Sequence, residues 1–223
     1  MRLALALGIL GLGAPGLSAG SITGTVTAKG PSVAASSAGG EYQSHRYSLA
    51  ERIDYDHLQD FVVYIDQMVE GGGAGADPAT VTQRNVSFEP HVLPIAVGTK
   101  VLWPNKDDIF HNVYSMSDTM PFDLGLYTKD EKPKMLTFGK VGRVDVYCSI
   151  HSKMHCIILV LPSRFFAKAD ARGRFSIENV PPGTYKLTAW QEHVPPSFQQ
   201  VTVPAAGGVT ANFILGFADL PKY

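Results

Sequence analysis

The sequence predicts an all-β protein. Short apolar, β-branched or aromatic runs are separated by turn-forming residues, and the chain contains 22 glycines and 15 prolines. This pattern is typical of strands joined by tight turns. Long segments with the 3.6-residue period of an amphipathic helix are missing from the sequence. At 223 residues the chain is long enough for one or two domains with hydrophobic cores.

The candidate strands run along the whole chain, and all of them are short. In chain order they are residues 21–28, 61–66, 92–97, 100–104, 112–116, 134–138, 143–148, 156–161, 174–178, 184–191, 199–203 and 210–215. Residues 47–59 are polar and predict at most one helical turn. The low-complexity stretches 30–40 and 71–79 predict loops or linkers.

Two turn motifs support the prediction of the strands at residues 174–178 and 184–191. In residues 170–175, Gly173 supplies a permissive backbone for a tight turn before the strand that begins near Phe175. In residues 180–185, the run Pro-Pro-Gly presets a turn before the alternating strand that contains Tyr185.

The N-terminal residues have the layout of a secretory signal peptide. Arg2 gives a basic start, an apolar run follows, and small residues occur at Ser18 and Ala19. We therefore expect residues 1–19 to direct export and the mature protein to be secreted or periplasmic. An uncleaved membrane anchor is the alternative, but the run is short and rich in Gly and Pro for a bilayer span. No other segment is long and apolar enough, so we expect no membrane span in the mature chain.

Composition excludes several kinds of partner. Charged residues make up 17% and hydrophobic residues 45% of the chain, which is an ordinary globular balance. The formal net charge is −1, so the sequence gives no electrostatic reason to expect binding to nucleic acid or to an anionic membrane.

Four side chains carry the functional prediction. Cys148, His151 and Met154 lie at three-residue spacing on one segment, and His111 lies upstream. One thiolate, two imidazoles and one thioether are the ligand set of a blue-copper electron-transfer site, in which a weak axial Met completes a trigonal His₂Cys plane. The runs on either side of this segment are of β type, which favours a loop between two strands over a helix. We predict one copper ion bound by these four residues.

Two other interpretations of the cysteines remain open. A zinc site formed by Cys148, His151, His155 and Cys156 would use suitable ligand types. If a strand begins at residue 155, however, His155 and Cys156 point to opposite faces, and this site also leaves His111 without a role. A disulfide between Cys148 and Cys156 would suit an exported chain and would remove the thiolate.

The central region resembles the cupredoxin family, and its ligand loop is most similar to the short form in amicyanin. The resemblance is carried by residues 97–105, by Asp108-Ile-Phe-His-Asn-Val113 and by Val146-Tyr-Cys-Ser-Ile-His-Ser-Lys-Met154. It implies a Greek-key β-sandwich and the same four copper ligands. From the chemistry of such a site we expect Asn112 to lie beside it, with an amide that ties its strand to the ligand loop near Ser149 and holds Cys148 in place; an ordinary polar loop residue is the alternative.

The two ends of the chain resemble the carboxypeptidase regulatory-like, transthyretin-like (prealbumin-like) β-sandwich. The residues that carry this likeness are 24–27, 62–65, 170–175 and 180–185. We therefore predict that the copper domain is inserted into a second sandwich, and the alternative is that it lies adjacent to that sandwich in tandem. The predicted boundaries are 20–66 for the N-terminal strands of the sandwich, 67–80 for a linker, 81–162 for the copper domain and 163–223 for the rest of the sandwich.

These observations favour an exported type 1 copper protein that carries single electrons between redox partner proteins. Ile150 and Phe110 are candidates for an apolar patch around His151 where electrons would enter and leave. A copper-binding, storage or surface-docking protein is the alternative. We expect no enzyme activity, because copper oxidases and nitrite reductases need further histidines and the sequence shows no His-x-His pair or clustered spare histidines. We expect His91 to be a hydrogen-bonded loop residue, and His45, His57 and His193 to be structural or solvent-facing.

Overall fold

The computed structural model describes residues 19–30 and 53–217. The predicted signal peptide, apart from Ala19, lies outside this part, as do His45 and residues 47–52. Over the residues described, the protein is all-β and has no helix, which confirms the predicted fold class. Within the same residues, no helix has the length and apolar character to cross a membrane.

Eighteen strands form in the described part of the chain. They are β1 (Gly20–Ala28), β2 (Val62–Ile65), β3 (Ala79–Thr80), β4 (Thr82–Arg84), β5 (Ser87–Glu89), β6 (Val92–Ala96), β7 (Lys100–Trp103), β8 (His111–Ser115), β9 (Phe122–Tyr127), β10 (Lys134–Thr137), β11 (Gly142–Tyr147), β12 (His155–Leu161), β13 (Phe166–Lys168), β14 (Arg174–Val180), β15 (Gly183–Gln191), β16 (Val194–Val203), β17 (Gly208–Thr210) and β18 (Phe213–Leu215). Every predicted strand has a counterpart, although 210–215 is divided between β17 and β18. The strands β3, β4, β5, β9 and β13 were not predicted.

The central strands form two facing sheets. One has the order β6-β12-β11-β8-β9 and the other the order β10-β7-β3. The apolar residues between them include Trp103, Val113, Phe138 and Val146, all fully buried, and Cys148 and Met154 lie in the same cluster. Because alternate strand residues face opposite sides, this one cluster holds the inward faces of both sheets. β3 falls in the predicted linker but pairs with β7.

Strands from both ends of the chain form a second sandwich. Its sheets have the orders β14-β1-β17, with β18 also on β1, and β13-β2-β15-β16. Their inward faces share one apolar cluster that includes Ile22, Ile65, Ile177 and Leu187. The chain therefore enters this sandwich through β1 and β2, leaves it for the central strands, and returns through β13.

Glycine is required where β1 meets its neighbours. A Cβ on Gly24 would lie 1.7 Å from the carbonyl oxygen of Ala211, so only glycine permits this approach of the two backbones. Gly173 has a φ of +74°, and a Cβ there would lie 2.2 Å from the carbonyl oxygen of Val26. The tight turn predicted at Gly173 is therefore present.

β12 joins the two sandwiches. Its sequence, HCIILVL, is apolar at almost every position, which is typical of a strand buried on both faces. Cys156, Ile158 and Val160 face the central core. Ile157 and Leu159 belong to a separate cluster with Leu161, Val62 and Val92, against which Tyr64, Phe166 and Trp190 pack. The central unit is thus fixed to the second sandwich by an apolar contact as well as by its two chain connections.

Candidate metal centre

Three of the four predicted ligands come together at one end of the central sandwich. His111 begins β8, Cys148 directly follows β11, and His151 lies in the loop after it. β8 and β11 are antiparallel neighbours, with Tyr114 opposite Tyr147. This register brings the start of β8 beside the end of β11. His111, Cys148 and His151 each offer a ligand atom within 4.8 Å of the others.

The donor atoms of these three residues face one another. Nδ1 of His111 lies 3.0 Å from Nδ1 of His151, and Nδ1 of His151 lies 3.6 Å from Sγ of Cys148. Metal–nitrogen bonds of about 2.0 Å place two nitrogen ligands of one ion roughly 3 to 3.5 Å apart. His111 is completely buried and Cys148 nearly so. The donor types and their spacing therefore fit a small, thiophilic transition-metal ion such as copper.

Asp107 orients the buried histidine, and sequence reasoning missed it. Its Oδ2 lies 2.8 Å from Nε2 of His111. A carboxylate only accepts hydrogen bonds, so Nε2 carries the proton and the neutral ring presents the lone pair of Nδ1 to His151 and Cys148. Histidine ligands of metals generally have such an acceptor on their other nitrogen. Asp107 lies four residues before His111 in an irregular loop, where no periodicity signals the contact.

The same carboxylate holds a strained turn between β4 and β5. The backbone N–H groups of Asn85 and Val86 donate to Asp107 at 2.8 and 2.9 Å. Both turn residues have positive φ angles, 54° and 56°, which is rare for a β-branched residue such as Val86. Burial raises the pKa of Asp107, but hydrogen bonds from Val86, His111 and Asn85 lower it below its usual value overall. Asp107 is therefore ionised at neutral pH.

Met154 lies at the base of the ligand loop. Its backbone N–H donates to the carbonyl of His151 at 3.0 Å, and its carbonyl accepts from the N–H of Cys148 at 3.3 Å. These two hydrogen bonds close the loop onto the end of β11. The side chain of Met154 is buried in the same apolar cluster as Cys148. Its role as the axial ligand stays a prediction.

Asn112 differs from its predicted role. Its side-chain amide donates to Oδ1 of Asp123 at 2.6 Å, and its own Oδ1 is buried with no partner among the residues that the structure describes. The expected tie to the loop near Ser149 is therefore not formed. Its backbone N–H instead donates to Sγ of Cys148 at 3.5 Å. Asn112 thus contacts the sulfur through its main chain, while its amide fixes β8 to β9.

The two other interpretations of the cysteines do not match the structure. Cys148 and Cys156 are both free, so they form no disulfide. Cys156 points into the central core, where burial, with a smaller effect of Asp145, raises the pKa of its thiol. His155 lies on the opposite face of β12, where its ring contacts Asp145. The four residues of the zinc alternative are therefore not brought together.

The half-buried His151 lies next to exposed apolar residues in the sequence. Phe110 is 54% exposed, Ile150 is 50% exposed and Ile109 is 42% exposed. Phe110 immediately precedes His111, and Ile150 immediately precedes His151. Both candidates for the apolar patch are therefore accessible at the surface.

Comparisons with solved structures give weak similarity to cupredoxins over less than half of the chain. The chain is 30% identical to a Cu-containing nitrite reductase from Thermus scotoductus SA-01 (TM-score 0.35) and covers 25% of that protein with 40% of its own residues. It is 23% identical to a purple cupredoxin from Nitrosopumilus maritimus (TM-score 0.34), with 37% of this chain and 98% of that one covered. A reduced amicyanin variant is 26% identical (TM-score 0.35), with 44% and 97% covered. The chain thus spans about a quarter of the nitrite reductase.

One family model matches the second sandwich. Residues 163–211 match the model for domain II of polysaccharide lyase family 4. This segment contains β13 to β17. The predicted likeness to the carboxypeptidase regulatory-like sandwich stays a prediction. No curated protein matches the chain.

Proposed function

We propose that this protein is an exported electron carrier that binds one type 1 copper ion through His111, Cys148, His151 and Met154. One observation carries the proposal: the thiol sulfur and two imidazole nitrogens lie within 4.8 Å of one another at the edge of a buried core. When bound, copper supplies a one-electron couple between Cu(I) and Cu(II). A thiolate and a thioether suit Cu(I), and imidazoles suit Cu(II).

Different residues of the chain orient the ligands of such a centre and stabilise the thiolate. His111 is held by Asp107 in the tautomer that offers Nδ1. Cys148 accepts the backbone N–H of Asn112, which stabilises a thiolate. Because these partners are set by β8 and by the Asp107 loop, the donors stay close to one geometry whichever oxidation state is bound. A rigid set of donor atoms lowers the reorganisation energy of each electron transfer.

His151 is the exit for the electron in this proposal. It is only half-buried, whereas His111 and Cys148 are buried. The exposed side chains of Phe110 and Ile150 offer an apolar docking surface for a redox partner protein. A small, mostly apolar contact suits a transient encounter. Catalysis by this centre alone is not part of the proposal.

The visible absorption spectrum after addition of Cu(II) to the purified protein tests this function. We expect an intense charge-transfer band from the Cys148 thiolate, which bleaches on reduction with ascorbate and returns on reoxidation. Cys148→Ala removes the band, and Cys156→Ala is the matched control that keeps it. Far-UV circular dichroism verifies that both variants are folded. A colourless Cu(II)-loaded protein would overturn the proposal, and a band that never returns after reduction would favour copper storage over electron transfer.

A further inference from the structure

A second group of metal-binding side chains lies where the two sandwiches meet. His91 precedes β6, His155 begins β12, and Glu192 lies in the turn between β15 and β16. Each offers a ligand atom within 4.8 Å of the others. We call these three residues the interface cluster. The expectation that the spare histidines are not clustered is therefore wrong. The sequence hides this cluster, because His91 and His155 are 64 residues apart and meet only in the fold.

Both rings of the interface cluster are oriented by acceptors on their outer nitrogens. Nδ1 of His91 lies 3.3 Å from the carbonyl oxygen of His155, and Nε2 of His155 lies 3.0 Å from Oδ1 of Asp145. A carboxylate accepts hydrogen bonds, so Nε2 of His155 donates to Asp145 and the Nδ1 of a neutral His155 ring keeps its lone pair. The inner nitrogens, Nε2 of His91 and Nδ1 of His155, then face the Glu192 carboxylate at 2.8 and 3.9 Å.

The inner nitrogens and the carboxylate are close enough to share one cation. Nε2 of His91 lies 2.8 Å from Oε2 of Glu192, a separation that suits a hydrogen bond and equally two ligands of one metal ion. Nδ1 of His155 lies 3.9 Å from Oε1 of the same carboxylate, which is too far for a hydrogen bond. One divalent ion between them would bind the inner nitrogens of His91 and His155 and the carboxylate of Glu192 together.

The surroundings of the cluster resemble those of an accessible metal site. The side chain of Glu192 is 13% exposed and that of His91 is 42% exposed, so one ligand is sheltered and another reaches solvent. A cleft of about 460 Å³ opens beside them, and Asp60, His57 and His193 also line it. Three protein ligands and an open side are the pattern of metal sites that keep a position for water or a small molecule.

We propose that the interface cluster binds a divalent transition-metal ion of the zinc type through Nε2 of His91, Nδ1 of His155 and the carboxylate of Glu192. Two imidazoles and one carboxylate form a donor set that suits Zn²⁺ and related first-row ions. Asp145 positions His155, and Arg143 holds both Asp145 and Glu192 in place.

The proposed second site is joined to the Cys148 centre through adjacent residues. His155 directly follows Met154 in sequence. The ring of Tyr147, which precedes Cys148, stacks on the ring of His155 with centroids 4.7 Å apart and planes 23° apart. An ion at the second site would therefore be held at the start of β12, directly after Met154 and against the residue that precedes Cys148.

Zn²⁺ titration of the full-length, copper-loaded protein by isothermal calorimetry tests the second site. The protein is loaded with one equivalent of copper only, because copper binds such ligands more tightly than Zn²⁺ and an excess would also fill the second site. We expect one further equivalent of Zn²⁺ to bind, and Co²⁺ in its place to give the visible bands of a low-coordinate site. Glu192→Gln keeps the side-chain shape and should weaken Zn²⁺ binding at least about tenfold, because even the loss of an outer partner of a metal ligand has that effect.

The controls separate this proposal from the copper proposal. His91→Gln changes a half-exposed loop residue, does not threaten the fold and should also weaken Zn²⁺ binding. His57→Gln changes an exposed histidine in the same cleft, bound to Asp54, and should leave Zn²⁺ binding unchanged. The blue band should persist in all three variants. If the wild-type protein takes up no Zn²⁺ beyond copper, or if Glu192→Gln and His91→Gln bind it as the wild type does, the interface cluster is not the zinc site and the proposal fails.

Discussion

Asp107→Asn tests whether the carboxylate tunes the proposed copper centre. The replacement keeps the size of the side chain but removes the charge and one acceptor oxygen. Asp107 accepts three hydrogen bonds, from His111 and from the N–H groups of Asn85 and Val86, so the amide cannot serve all three as well. Its NH₂ group would also favour the opposite tautomer of His111. Loss of such a partner generally weakens metal binding about 10- to 100-fold, or roughly 1.4 to 2.8 kcal/mol.

The same substitution has a separate cost for the fold. Weakening the charge-assisted hydrogen bonds that hold the turn at Asn85 should lower the free energy of unfolding of the metal-free protein by about 1 to 3 kcal/mol. Urea unfolding of the metal-free form measures this cost. The two effects are therefore distinguishable, because copper affinity is compared at low urea, where both proteins are fully folded.

Copper affinity is measured by competition with a chromophoric chelator. Asp108→Asn is the matched control, since the neighbouring carboxylate is exposed and pairs with Lys129 on the surface. We expect the affinity of Asp108→Asn to equal that of the wild type. If Asp107→Asn loses stability but binds copper as tightly as the wild type, then Asp107 serves only the turn, and the orientation of His111 does not depend on it.

Three further predictions concern stability, each measured by thermal or urea unfolding. Val86→Gly should raise the free energy of unfolding by about 1 kcal/mol, because glycine removes the cost of a valine with a positive φ and Asn-Gly is favoured in such turns. A loss of stability would show that the valine does not strain this turn. Asp170→Asn should lower the melting temperature slightly at pH 7, because hydrogen bonds from Arg174 hold the pKa of Asp170 at about 2, below the usual 3.8, although solvent screens this exposed pair. This difference should shrink as the pH falls through 3.8 and vanish below 2, and a difference that persists there would refute the charge effect. Leu187→Ala removes a fully buried side chain from the second sandwich and should cost about 2 to 5 kcal/mol; a cost below that range would mean that the core collapses around the cavity.

Strands with a strong local pattern were predictable from the sequence. β12 is apolar along its whole length, and β15 alternates, so both were found. β9 was missed because it contains Asp123 and Gly125, residues that disfavour strands. It forms because β8 offers an edge for pairing. Tertiary contact thus decides the strands that local propensity leaves undetermined.

The candidate site was predictable as far as its residue types and spacing allow. Cys148 and His151 are close in sequence, and their chemistry together with His111 pointed to one centre. Asp107 and the true partner of the Asn112 amide depend on the path of irregular loops, which spacing does not reveal. The interface cluster could not be predicted from the sequence for a different reason. Its three residues come from two sandwiches that meet only through the packing of β12.

The pairing of β2 with β13 has a consequence for how such a protein is assembled. Tyr64 lies opposite Phe166 in this antiparallel pair, so the strand that leads out to the central unit and the strand that leads back are neighbours, about 5 Å apart. The roughly one hundred residues between β2 and β13 therefore leave the second sandwich and return to it at adjacent positions. A tight hairpin of about two to five residues could bridge the gap without disturbing either sheet. Insertion into a hairpin formed by β2 and β13 would therefore add the central unit, and deletion at the same place would remove it.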